Sequence, residues 1–176
     1  MTTEVELRSF ISQEKYNELL AFFTANATFK HRSDQETIYF TGDKDLRIQR
    51  NDNYAKIWLK KGKMHDDTRE EIEIRADNTY FGEMQKLFLY LGYEEKIKWL
   101  RHREEFIWGD ITVCLDYTKG YGYIIELEIL SDDANCEPNK ELLARKFREL
   151  DIVITSKDDF SKAFEYYQNN WRSLIG

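Results

Sequence analysis

Residues 109–130 read GDITVCLDYTKGYGYIIELEIL, and apolar and polar side chains alternate over 111–116 and again over 125–129. Alternation with a period of two is typical of strands that bury one face. A Gly-Tyr-Gly sequence separates the two halves, so the segment predicts an antiparallel hairpin. The polar face of its second strand carries Glu126 and Glu128, whose like charges repel each other unless a cation lies nearby.

The same arrangement of charges recurs on other predicted strands. Three of the predicted strands carry an acidic pair at positions i and i+2, namely Glu4/Glu6, Glu71/Glu73 and Glu126/Glu128. The basic residues on these polar faces are mostly arginines, whose planar guanidinium groups fit phosphate oxygens well. Clustered carboxylates suit Mg²⁺ or Mn²⁺, and a triphosphate can bind both the metal and the arginines. A solvated antiparallel sheet is the simpler alternative for any single strand.

The hydrophobic pattern predicts about eight strands and three or four helices. Strands are expected at about 3–10, 36–41, 45–50, 55–61 and 68–75, with three more between about 97 and 130. Helices are expected after Ser12, over about 81–91, and in the C-terminal region. Because about eight strands suffice to close a barrel, we expect an α+β fold with a closed eight-stranded antiparallel β-barrel, or tunnel. We expect flanking helices and a helical C-terminus. One domain would cover residues 1–176, with the barrel at about 3–131 and the C-terminal helices at about 137–174.

Composition excludes several classes of protein. The 176 residues include 26 Lys and Arg against 33 Asp and Glu, and a net charge of −7 argues against general nucleic-acid binding. No apolar run approaches the roughly 20 residues of a membrane span, and the N-terminus lacks the basic and apolar regions of a signal peptide. We therefore expect a soluble cytoplasmic protein that binds neither nucleic acid nor membranes.

Several segments together resemble the CYTH superfamily, the triphosphate tunnel metalloenzymes. Residues 4–8 (EVELR) resemble its Glu-x-Glu-x-Lys signature, and residues 69–73 (REEIE) its Arg-Glu-Glu-x-Glu segment. Residues 46–50 (LRIQR) are similar to its Leu-Arg-Ile-Arg strand. The hairpin described above resembles the class IV adenylate cyclase branch. The resemblance extends in order over roughly residues 3–130.

The resemblance implies a tunnel that holds Mg²⁺ or Mn²⁺ and a small molecule bearing a triphosphate, such as ATP, tripolyphosphate or thiamine triphosphate. By position, the implied metal ligands are Glu4, Glu6, Asp116, Glu126 and Glu128. The implied phosphate ligands are Arg8, Arg47, Arg50, Lys61, Arg69, Arg101 and Arg103, with Lys60 as the alternative to Lys61. The implied catalytic residues are Arg8, Glu71, Glu73 and Arg103. The resemblance is also compatible with a homodimer.

Departures from the family pattern bear on the reaction. Arg8 replaces the signature lysine, and an arginine is a poor base because its guanidinium stays protonated in proteins. Gln49 replaces an arginine, a loss for which Arg50 could compensate. The His-Phe pair of the class IV cyclases is missing, which favours a metal-dependent triphosphatase. The alternatives are an adenylate cyclase, which converts ATP to cyclic AMP and pyrophosphate, and a non-catalytic binder of nucleotides or polyphosphate.

Overall fold

A computed structural model describes residues 3–60, 71–131 and 135–176, with the backbone alone at residues 3, 4, 60 and 71. The chain divides into two compact units. The first unit comprises Met1–Arg32 and His102–Tyr166, and the second comprises Ser33–Arg101 and Tyr167–Gly176. No helix in the described ranges combines the length and the hydropathy needed to cross a membrane.

The described residues form eight strands, four α-helices and one short 3₁₀ turn at Asn78–Tyr80. The strands are β1 (Thr3–Ile11), β2 (Thr28–Phe40), β3 (Asp45–Arg50), β4 (Ala55–Lys60), β5 (Glu71–Ala76), β6 (Glu95–Trp108), β7 (Ile111–Thr118) and β8 (Gly122–Ser131). The helices are α1 (Gln13–Asn26), α2 (Phe81–Tyr90), α3 (Cys136–Glu149) and α4 (Lys157–Ile175).

The strands form one antiparallel sheet in the order β1–β8–β7–β6–β2–β3–β4–β5. The predicted α+β class and the eight antiparallel strands are therefore confirmed. Within the described part of the chain, β1 and β5 are the two ends of this order. Closure of the sheet into a barrel is thus not confirmed.

The core of the first unit lies between the apolar face of its strands and helices α1 and α3. Val113 and Leu115 of β7 and Leu127 of β8 are fully buried there, together with Phe23 of α1 and Phe147 of α3. Burial of each such side chain contributes about 1.5–3 kcal/mol. Since neighbouring residues on a strand point to opposite faces, this core directs the intervening polar side chains of β7 and β8 to the other face.

The second unit has a smaller core on helix α2. Ile38, Ile48 and Ala55 of β2, β3 and β4 are fully buried, and Phe81 and Met84 of α2 belong to the same cluster. Alternation again leaves the odd-numbered residues of β2 and β3 and the even-numbered residues of β4 on the face away from α2.

Local sequence signals fix the ends of the helices as expected. The Ser12 side chain accepts a hydrogen bond from the Lys15 backbone N–H at 3.1 Å and caps the N-terminus of α1. Gly92 follows α2 with a φ of 89°, in the left-handed region that glycine adopts without steric cost. The Ser156 hydroxyl accepts a hydrogen bond from the Asp159 N–H at 3.1 Å and so caps the N-terminus of α4.

The segment between α3 and α4 is hydrogen-bonded to β1. Ser9 is completely buried, and its hydroxyl donates to the Val153 carbonyl at 2.7 Å and accepts from the Thr155 N–H at 3.0 Å. Thr155 also accepts a hydrogen bond from the Phe10 N–H at 2.9 Å. Residues far apart in the sequence therefore hold the C-terminal end of β1.

Candidate functional site

The register of β1, β8 and β7 lines up charged residues in two cross-strand rows on the polar face of the first unit. In one row, Glu128 lies opposite Glu6 on β1 and Thr112 on β7. In the next row, Glu126 lies opposite Arg8 and Cys114. Directly opposite residues in antiparallel strands lie about 4.5–5.5 Å apart, so these side chains interact. The register thus places Glu6, Glu126 and Glu128 in adjacent rows on one face of the sheet.

Three side chains in these rows are close enough to share one metal ion. One ligand atom each of Cys114, Glu126 and Glu128 lies within 4.8 Å of the other two. The two carboxylates fit Mg²⁺ or Mn²⁺, which take oxygen ligands and keep several waters. The family resemblance implies the two carboxylates as metal ligands, whereas Cys114 is not among the ligands that it implies. The donor set therefore fits a divalent ion and includes one potential ligand that was not predicted.

Arg103 connects two acidic residues on the same face. Its Nε and Nη2 donate to the Asp116 carboxylate, both at 2.7 Å, and Nη2 also donates to Glu126 Oε1 at 3.1 Å. Burial disfavours the charged guanidinium, but the hydrogen bonds and charges of Asp116 and Glu126 outweigh it and hold the Arg103 pKa well above its usual value. Asp116 is a predicted metal ligand, and here its two oxygens bind Arg103 in a bidentate pair.

Arg8 and Glu6 lie on the exposed part of β1. The Arg8 guanidinium lies 4.7 Å from the centre of the Phe160 ring, at the start of α4. A ring face attracts a cation and leaves its N–H groups free to bind other acceptors at the ring edge. Glu4 pairs with Leu130 in the backbone register, and its side chain lies outside the described residues.

A second ion pair on β2 and β6 belongs to the first unit, and sequence reasoning missed it. Lys30 forms an ion pair with Glu105, a carboxylate that also lies 3.7 Å from His31 Nε2. The hydrogen bond from Lys30 to Glu105 raises the pKa of the lysine and keeps it charged. The prediction began β2 near residue 36, whereas the strand begins at Thr28, because the polar residues 30–36 hide its alternation.

In the second unit, Arg47 lies on the polar face of β3 as predicted. It is buried and binds Asp45 through two hydrogen bonds of 2.7 and 2.5 Å. Its guanidinium also lies 4.3 Å from the centre of the Tyr39 ring and 4.9 Å from that of Trp58. These contacts hold the planar group in one orientation.

The neighbouring strands carry a second group of charges in this unit. Lys56 Nζ lies 2.7 Å from Glu73 Oε2, and Arg75 Nε lies 2.5 Å from Glu73 Oε1. The hydrogen bond from Lys56 lowers the pKa of Glu73, and Arg75 adds to this effect. Gln49 donates to Thr37 Oγ1 at 2.9 Å, so this departure from the family pattern is accommodated by a neutral hydrogen bond.

Arg101 and Arg50 occupy different surroundings within the second unit. Arg101 donates two hydrogen bonds to Gln35 Oε1, at 3.0 and 2.6 Å. Arg50 forms an ion pair with Glu36 and lies 4.8 Å from the centre of the Phe81 ring of α2. Arg50 therefore lies on the helix-covered side of β3, and its role as a phosphate ligand stays a prediction.

Besides Glu4, four predicted site residues have side chains that the structure does not describe. Lys61 and Arg69 lie outside the described residues, as do the side chains of Glu71 and Lys60. The backbone register pairs Lys60 with Asp45 on one side and with Glu71 on the other. The roles expected for these residues stay predictions.

Comparisons with known proteins agree on one family and one fold. A sequence model of the CYTH domain family matches residues 2–159. A search of curated protein sequences gives no match. A conserved hypothetical protein from Pyrococcus furiosus is 23% identical, with a TM-score of 0.67 over 86% of this chain and 92% of that chain.

Two further solved structures are similar to this chain. A "putative adenylate cyclase" from Vibrio parahaemolyticus is 20% identical, with a TM-score of 0.61 over 91% of this chain and 98% of that chain. A "putative adenylyl cyclase" from Hippeastrum, described with a dominant triphosphatase activity, is 19% identical, with a TM-score of 0.64 over 90% of this chain and 94% of that chain. At these identities the similarity establishes the fold.

Proposed function

The chain belongs to the CYTH domain family, and on that premise we propose that it is a divalent-metal-dependent triphosphatase. The observation that carries the proposal is the pair of charged rows on β1, β8 and β7. Carboxylates of Glu6, Glu126 and Glu128 lie on the same strand face as the guanidinium of Arg103. This combination suits a ligand that brings a metal ion and phosphate oxygens together.

Glu126 and Glu128 would hold Mg²⁺ or Mn²⁺, and Glu6 supports them from the facing position on β1. When bound, the metal neutralises phosphate charge and polarises the phosphorus that is attacked. Arg103 fixes Glu126 through its hydrogen bond and keeps a positive charge beside it. The exposed guanidinium of Arg8 is available to bind phosphate oxygens.

The second unit also contains candidate phosphate ligands, which support the proposal independently of the first unit. Arg47 is a preoriented candidate ligand for phosphate, because two aromatic rings and Asp45 fix its guanidinium. Arg101 and Lys61 remain further candidates from the family resemblance. The lowered pKa of Glu73 makes its carboxylate a weak base, so we assign Glu73 to the placement of Lys56 rather than to proton transfer. Closure of the eight strands into a tunnel is part of the proposal.

Hydrolysis is favoured over cyclisation for two reasons. Arg8 cannot accept a proton as the signature lysine could, which is a handicap if the ribose 3′-hydroxyl must be deprotonated. Water is a smaller nucleophile, and its placement needs no nucleoside pocket. The dominant triphosphatase activity described for the Hippeastrum protein agrees with this choice.

Phosphorus NMR of the purified protein tests the proposal. ATP, tripolyphosphate and thiamine triphosphate would each be incubated with the protein and Mg²⁺ or Mn²⁺. We expect metal-dependent release of orthophosphate, and we expect Glu128→Gln to slow it by at least about 10- to 100-fold. Glu141→Gln is the matched control, because Glu141 is an exposed glutamate on α3.

The products separate the candidate functions. Cyclic AMP and pyrophosphate from ATP would replace the triphosphatase with an adenylate cyclase. Unchanged spectra with all three compounds, together with tight binding of any of them, would indicate a non-catalytic binder. Equal rates for Glu128→Gln and Glu141→Gln would refute the assignment of the metal centre.

A further inference from the structure

We propose that Cys114 is a third donor at the Glu126–Glu128 metal centre and makes it prefer thiophilic divalent ions, such as Zn²⁺, Co²⁺ and Cd²⁺, over Mg²⁺. This inference rests on the proposed function, since it takes the metal centre as given. It adds a third ligand, and this ligand determines which metal ion the centre prefers.

The register of the sheet supports this role. Cys114 on β7 lies directly opposite Glu126 on β8, and Glu128 lies opposite the next residue of the same parity on β7, Thr112. The sulfur of Cys114 and a carboxylate oxygen of each glutamate lie within 4.8 Å of one another. Two donors bonded to one ion at about 2.0–2.3 Å lie at most about 4.6 Å apart, so the three atoms are close to the spacing at which a single ion binds them all.

Core packing does not account for this cysteine. Its neighbours Val113 and Leu115 belong to the apolar cluster of the first unit, so alternation turns Cys114 to the opposite face. On that face its electrostatic surroundings are Arg103, Asp116, Glu126 and Glu128. The Cys114 side chain is thus 1% exposed and lies among charged groups rather than in the apolar cluster.

The coordination chemistry accounts for the preference. Binding of a thiophilic ion breaks the S–H bond of Cys114, forms a sulfur–metal bond and releases one proton to solvent. Mg²⁺ binds oxygen and gains little from a thiol, so it uses the carboxylates and leaves Cys114 protonated. The thiol therefore adds binding free energy for one class of ion alone.

Other roles for Cys114 fit less well. Cys114 is not in a disulfide, and the chain has one other cysteine, Cys136, at the start of α3. Burial raises the pKa of the Cys114 thiol, which opposes a role as a free nucleophile. Coordination to a metal differs, because the ion itself displaces the proton.

Optical absorption of Co²⁺ bound to the Cys136→Ser protein tests the inference. Cys114 is the one cysteine left in this variant, so a near-ultraviolet band from thiolate-to-cobalt charge transfer must come from it. Visible bands of the cobalt ion report binding independently of sulfur. The experiment leaves Cys114 unchanged, so it does not depend on whether a Cys114 variant folds.

We expect both sets of bands in the wild-type and Cys136→Ser proteins. Visible bands without the charge-transfer band would overturn the role of Cys114 and leave the metal centre of the proposed function intact. Absence of all cobalt bands would overturn both.

A binding measurement provides a second test. By calorimetry, Cys114→Ser should weaken Cd²⁺ binding by at least about tenfold and leave Mn²⁺ binding nearly unchanged. Circular dichroism would first show that the Cys114→Ser protein is folded, and its affinities for the two ions would then be compared with those of the wild type. An equal effect on the two ions would overturn the proposed preference.

Discussion

Replacement of Arg103 by methionine should destabilise the protein strongly, because it removes the guanidinium that binds two largely buried carboxylates. The guanidinium makes three charge-assisted hydrogen bonds, two of 2.7 Å to Asp116 and one of 3.1 Å to Glu126. The two carboxylate side chains are 6% and 11% exposed, so water cannot replace the lost partner fully. Methionine retains the apolar stem and removes the charge, which limits the change in packing.

Loss of one member of a buried ion pair costs about 3–5 kcal/mol. In a chain of this size each kcal/mol lowers the melting temperature by about 2–4 °C, so the expected decrease is about 6–20 °C. The assay is urea and thermal unfolding followed by circular dichroism. Arg103→Lys retains the charge but cannot form the bidentate hydrogen bonds, so its melting temperature should lie between those of the wild type and Arg103→Met.

Lys162→Met is the control for this prediction. Its exposed ion pair with Asp158 on α4 should contribute less than about 1 kcal/mol. Adding Asp116→Asn to Arg103→Met should recover part of the loss, because one stranded charge is then removed. If Arg103→Met and Lys162→Met were equally mild, the interpretation of the Arg103 cluster as a buried, coupled network would be refuted.

Three further predictions concern other contacts. Ser9→Ala should lower the free energy of unfolding by about 1–3 kcal/mol in urea denaturation, since it removes a buried hydrogen bond to Val153; a loss near zero would contradict this. Lys56→Met should destabilise at neutral pH and have less effect in acid. Because the pKa of Glu73 is lowered from its ordinary value of 4.5, its pairing with Lys56 stabilises the folded protein at pH values above 4.5, and this stabilisation disappears as the pH falls further. If thermal melts showed that Lys56→Met costs the same stability at every pH, the pairing would be contradicted. Burial raises the pKa of Tyr167 from its ordinary value of 10.0 to about 12. Its contribution to the stability of the folded protein is therefore fully present below pH 10.0 and decreases as the pH rises towards 12. Alkaline melts of Tyr167→Phe should therefore lose less stability over that range than wild type, and parallel curves would count against this.

Strand alternation alone predicted much of the candidate site. It placed Glu126 and Glu128 together, because a strand with one apolar face must direct the intervening residues to the other. The same rule also applies to Arg50, which shares its parity with the buried Leu46 and Ile48 and so belongs to the face covered by α2. The expectation that Arg50 compensates for Gln49 did not apply that rule, and it stays a prediction.

What alternation could not predict depends on contacts between distant segments. The pairing of Lys30 with Glu105 joins β2 to β6, and no local pattern marks either residue as a partner of the other. Cys114 is similar, because its parity was known but its distance from two carboxylates follows from the register of β7 and β8. The register of two strands is set by the hairpin turn and by the packing of the whole apolar face, so it is known only from the folded structure.

The long-range attachment of β1 affects how the protein folds during synthesis. The strand pairs with β8, and Ser9 is hydrogen-bonded to Thr155, 146 positions along the chain. At roughly 5–20 residues per second, a ribosome takes about 6–24 s to make the roughly 120 residues between β1 and its partner strand. During that interval the first strand made has no partner, and loop closure over such a distance slows its later docking. The N-terminal strand is thus among the last to be incorporated, and chains released before residue 155 lack the segment that holds it.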